Sequence, residues 1–117
     1  MRADEPPPGF AARDASVRFT ELSWADDVPG IRARQTHIAG RRWALVEYAA
    51  GARREEWCLD GHAGFVVSGS VAYEFEDGAE PLTVRTGDAF ALATGHAHRG
   101  ANRAGGPTQL FIIDDPA

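Results

Sequence analysis

Glycine and proline interrupt this 117-residue chain so often, thirteen and seven times, that no amphipathic helix can be laid on it. What lies between the breaks is short and extended. Ser16–Leu22 (SVRFTEL) alternates apolar and polar residues, as a half-buried strand does. Trp24–Gly30 (WADDVPG) reads as a turn, followed by extended runs at Ile31–Ala39 and Trp43–Ala50. Phe65-Val66-Val67 leads through Ser68-Gly69-Ser70 into Val71–Glu76, where Val71, Tyr73 and Phe75 form one apolar face. Asp77-Gly78 predicts a type I′ hairpin, since both residues tolerate positive φ. Leu82 and Val84 continue the return strand, and Phe90, Leu92 and Leu110–Ile113 supply more core. Short strands with turns between them predict an all-β antiparallel sandwich or barrel. Spacing alone does not separate an immunoglobulin-like sandwich from a jelly roll.

The length suits one domain, expected over 16–117 behind a flexible proline-rich lead-in at 1–15. Twelve basic against seventeen acidic side chains give a net charge of −5, and all twelve are arginine. That balance argues against nucleic-acid binding, and the pairs Arg41-Arg42 and Arg53-Arg54 are too short to reverse it. No apolar run is long enough to span a membrane. A lone cysteine, Cys58, rules out an internal disulfide and suggests a reducing compartment. The first residues lack the apolar core of a signal peptide, so a cytoplasmic protein is expected. Phosphate-binding loops, dinucleotide fingerprints and paired-cysteine zinc modules are all missing from the sequence.

One stretch is more specific. Gly87, Ala93-Thr94-Gly95, His98 and Asn102 stand at the intervals of the second cupin motif, with Ala93 in place of proline and Asp88 after the first glycine. Upstream, Glu56-x-Cys58-x-x-x-His62, then six residues to Gly69, stands where cupins often carry His-x-His-x-x-x-Glu. Over roughly residues 42–113 the chain resembles a small, single-domain bacterial cupin. The resemblance implies a double-stranded β-helix, a jelly-roll barrel, with a ligand site inside it.

It also implies a metal site at Glu56, Cys58, His62 and His98, of which only His98 keeps the usual residue type. Residues two apart on a strand face the same side, so Glu56 and Cys58 are expected to point inward together. A thiolate, a carboxylate and two imidazoles favour a divalent transition metal, zinc foremost. Arg54, Tyr73, Phe90 and His96 are expected to line the pocket around a small-molecule ligand. The expected function is a small metal-binding cupin, with dioxygenase or isomerase chemistry implied by the resemblance. The rival reading is a non-catalytic binding or sensing cupin without metal. A homodimer is also expected, with Phe19, Leu22 and Trp24 offering apolar surface to a second copy.

Overall fold

A computed structural model describes residues 9–115, so the first eight residues of the expected lead-in lie outside the described part. Nine strands form two antiparallel sheets packed face to face. The larger sheet has the order β1-β2-β3-β9-β4-β7, and the smaller the order β6-β5-β8. In chain order the strands are β1 (Ala25–Val28), β2 (Ile31–Ile38), β3 (Arg41–Tyr48), β4 (His62–Ser68), β5 (Ser70–Phe75), β6 (Leu82–Arg85), β7 (Ala89–Leu92), β8 (His98–Ala101) and β9 (Thr108–Asp114). The expected all-β jelly-roll architecture is therefore present. Among the described residues, no helix is long and apolar enough to cross a membrane.

Period-two alternation decides which residues meet in the middle. β3 turns Ala44, Val46 and Tyr48 inward, β9 turns Leu110 and Ile112, and β5 answers from the other sheet with Val71 and Tyr73. Val66 and Leu110 are almost completely buried, and each side chain contributes roughly 2 kcal/mol by leaving water. The outer face of the larger sheet is less covered, leaving Phe65 and Val67 exposed on β4.

Three local expectations are corrected. Residues 16–22 form no strand: Phe19–Glu21 make a single 3₁₀ turn, because Phe19 folds back onto Phe111 with ring centroids 5.9 Å apart. Trp24 lies between the guanidiniums of Arg32 (4.2 Å) and Arg34 (4.5 Å). Phe19, Leu22 and Trp24 are each half-buried. Next, the expected turn at 24–30 is mostly the edge strand β1, paired with β2 through Ala25↔Ala33. The tight turn is confined to Pro29-Gly30. Finally, Asp77-Gly78 is not a type I′ turn. Only Gly78 has positive φ, its amide returns to the Phe75 carbonyl, and the Asp77 carboxylate accepts from the Ala79 amide. The β5–β6 hairpin itself is present.

The two-residue hairpin loop occurs instead at Ala39-Gly40, between the paired ends Ile38 and Arg41, with φ of 51° and 79°. Alanine gives no sequence signal for left-handed backbone, which its Cβ disfavours. Ala39 is exposed and its side chain contributes little there. Ala39→Asn is expected to raise stability by about 0.5–1 kcal/mol in urea unfolding, since asparagine tolerates this conformation. A loss of stability would mean that the turn is held by something other than backbone preference.

Candidate functional site

The cavity opens between the sheets. It has a volume of about 820 Å³, and its wall includes His62, His98, Tyr48, Tyr73, Arg54 and Cys58. His62 begins β4 in the larger sheet and His98 begins β8 in the smaller one, so the two imidazoles meet across the sandwich with centroids 5.4 Å apart. Tyr73 packs edge-on against both, at 6.1 and 6.0 Å.

The His98 ring is tethered on one side. The Nδ1 of His98 lies 3.0 Å from the His96 carbonyl oxygen, which can only accept, so Nδ1 carries the hydrogen. In the neutral ring, Nε2 is then a bare lone pair. The Nδ1 of His62 faces the Asp114 carboxylate at 3.9 Å, and that carboxylate is in turn held by the Nε of Arg42 at 2.7 Å. Both Nε2 atoms are buried, and among the described residues neither has a hydrogen-bond partner. Burial pushes the His62 imidazole down to about 4, against the opposing pull of Asp114, so this ring is neutral near pH 7.

The near wall is not a strand. Residues 52–58 run along the edge of β8 with isolated bridges only at Arg53↔Ala101 and Cys58↔His98. The amides of Cys58 and His98 each donate to the other residue's carbonyl, at 2.8 and 3.0 Å. Asn102, buried, anchors the start of this segment: its Nδ2 lies within 3.2 Å of the carbonyls of Tyr48, Ala49 and Gly106. Arg54 spans the mouth, with Nη1 2.8 Å from Asp27 and Nε donating to the Tyr48 hydroxyl at 3.2 Å. Burial holds the Tyr48 phenol above its ordinary value, although Arg54 opposes the shift.

Of the expected site residues, His62 and His98 come together, and Cys58, Arg54 and Tyr73 share their cavity. Glu56 reaches the same cavity only at its exposed rim. The chain bends at Glu56, which breaks the strand parity that would have turned it inward with Cys58, and its side chain is exposed at the rim. Among the described residues, no three His, Cys, Asp or Glu side chains are grouped so as to hold a metal ion. The expected four-donor shell is therefore not assembled. Phe90 stands behind the wall, 5.3 Å from Tyr73. His96 faces away: it stacks on Phe75 at 4.3 Å and meets the Asp77 carboxylate at 3.0 Å.

Sequence reading missed Tyr48, Asp27, Arg42 and Asp114, all of which line the cavity. Alternation marked three of them: Arg42 and Tyr48 share the inward parity of Ala44 and Val46 on β3, and Asp114 that of Leu110 and Ile112 on β9. Asp27 depends on where the fold brings β1.

No family model matches the chain, and neither does any curated protein sequence. Solved structures do match by shape. KdgF from Halomonas sp. superposes with a TM-score of 0.71 at 21% identity, covering 90% of this chain and 96% of that one. An RmlC-like cupin from Shewanella frigidimarina gives 0.72 at 15% identity, over 90% and 93%. A cupin-superfamily sugar phosphate isomerase from Silicibacter pomeroyi gives 0.68 at 13% identity, over 88% and 76%.

Proposed function

We infer from the cupin fold of this chain that its barrel binds a small organic molecule against the His62–His98 pair and moves a proton on it, an isomerase-type chemistry. The observation that carries this reading is the pair of buried, partnerless Nε2 atoms on the wall of one cavity. A buried polar atom left unpaired costs free energy, so a site that keeps two of them is built to receive a hydrogen-bonding partner. His98 is the base: its Nε2 takes a proton from the ligand and returns it to another ligand atom, with no oxidant required. The His96 carbonyl fixes the ring and faces its Nδ1–H while the imidazolium exists. Because burial keeps His62 uncharged, the pair does not carry two positive charges at once. A solved neighbour named as a sugar phosphate isomerase is in keeping with this class of chemistry.

The same two buried Nε2 atoms favour a second reading, a divalent transition metal held by His62 and His98, with zinc the ion that the residue types favour. Such an ion supplies Lewis acidity where it binds. The described residues do not close its shell by themselves, and Glu56 stays outside it.

Two measurements on the purified protein separate these readings. Long-range ¹H–¹⁵N spectra are expected to show the neutral His98 ring as the tautomer with Nδ1–H and a bare Nε2. A protonated Nε2 on His98 would remove the proposed base. Metal analysis without added chelator is expected to find far less than one zinc per chain. A stoichiometric ion that shifts both Nε2 signals replaces the proton-transfer reading with the metal one.

A further inference from the structure

We propose that Tyr48 and Arg54 form an oxygen-binding arm of this cavity, which selects ligands carrying a carbonyl or carboxylate oxygen; the proposal rests on the small-molecule reading of the barrel. Tyr48 ends β3 and is 3% exposed, yet its hydroxyl lies at the cavity rather than in sealed core. Among the described residues its only hydrogen bond is the one it accepts from the Nε of Arg54. A phenol that accepts from a guanidinium keeps its own O–H to donate. Since burial holds that phenol above its ordinary value, it remains a donor through the physiological range.

Arg54 is oriented rather than loose. Asp27 holds Nη1, Tyr48 holds Nε, and the Arg54 amide donates to the Gly100 carbonyl at 3.0 Å. Among the described residues neither of these contacts uses Nη2, which is the arm offered to a ligand. Its planar donors suit an sp² oxygen better than a hydroxyl. Gly100 secures the arrangement from below. A Cβ there would lie 2.9 Å from the Tyr48 hydroxyl and 3.1 Å from a ring carbon of Tyr73, so a side chain would displace the phenol.

A purely structural account leaves the hydroxyl unexplained. Phenylalanine at position 48 would fill the same core without desolvating a polar group, and the Arg54–Asp27 ion pair at the mouth does not require a phenol. The donors of the arm complement the acceptors of the imidazole pair. A molecule with a carbonyl or carboxylate oxygen beside a hydroxyl satisfies both.

Three probes with one skeleton test this: mandelate, 2-hydroxyacetophenone and 1-phenylethane-1,2-diol, titrated into the full chain and followed by the resonances of His62, His98 and the Arg54 Nε–H. The acid and the ketone are expected to bind roughly tenfold more tightly than the diol, the size of one charge-assisted hydrogen bond. Tyr48→Phe should shrink that preference, weakening the acid and the ketone more than the diol. Arg54→Gln should do the same, most strongly for mandelate, and carries the test if Tyr48→Phe does not fold. Equal binding of all three probes, or a preference that survives both substitutions undiminished, overturns the oxygen-binding arm and leaves the small-molecule reading standing. If no probe moves any cavity resonance, the small-molecule reading falls and this inference falls with it.

Discussion

Gly69→Ala is expected to cost about 4 kcal/mol or more, enough to unfold much of a chain of ordinary marginal stability. Gly69 is the single residue between β4 and β5, where the chain crosses from the larger sheet to the smaller one. Two penalties add there. Its φ is +91°, a region that costs an L residue roughly 1–2 kcal/mol. In addition, an added Cβ would sit 2.3 Å from Thr108 Oγ1, 2.8 Å from Thr108 Cα and 2.9 Å from the Pro107 carbonyl oxygen. Two of those three atoms are backbone, and Thr108 cannot swing aside. It is fully buried, donating to the Ser70 carbonyl and accepting from the Ser70 amide. Thr86 pins the other side of the corner, its Oγ1 accepting from the Gly69 amide and its own amide donating to the Gly69 carbonyl. Guanidinium unfolding checks the figure; a loss under 1 kcal/mol would show that the corner can relax.

Acidification is expected to cost about 3 kcal/mol between pH 6.5 and 4, through His62 alone. Its folded value of about 4 lies below its ordinary 6.5, so the unfolded chain takes up the proton first as pH falls. Stability is therefore full above pH 6.5, falls by at most about 1.4 kcal/mol per unit below it, and loses nothing more from this group under pH 4. Glu47 is held below its ordinary 4.5, chiefly by its hydrogen bond from Gln109, so its own loss comes at lower pH. Unfolding free energies at pH 7.0, 5.5 and 4.5 should fall for the wild type and stay nearly level for His62→Gln. Parallel slopes for the two proteins would show that the ring is solvated or already charged.

Sequence reading succeeded where a residue's demands were local. Gly87 and Gly95 both have positive φ, His98 and Asn102 are both buried polar residues, and all four fall where the motif spacing placed them. Backbone geometry and buried hydrogen bonding admit few substitutes at such points, so the letters carry the structure. It failed where a residue's direction depended on remote pairing. Glu56 and Cys58 have the spacing of strand neighbours, but residues 53 and 58 touch β8 only as isolated bridges, and the bend between them sends the carboxylate outward. Arg42 and Asp114 have the inward parity of their strands, but only β3–β9 pairing across 72 residues sets them side by side. Tyr73 was legible as both core and wall, because alternation within β5 placed it facing inward.

The wall made by residues 52–58 has one more consequence. It is fastened to β8 through main-chain bonds from Arg54, Cys58 and His98, and through the Asn102 amide to the Ala52 carbonyl. Main-chain bonds are indifferent to side-chain identity, so the fold places little restraint on which letters occupy the positions between them. The barrel can keep its architecture while this one strip drifts, and with it the chemistry facing the cavity. A lineage built this way can change what its cavity presents by rewriting a handful of codons in one contiguous stretch. The imidazole pair, lodged on two strands in opposite sheets, would be the slower part to change.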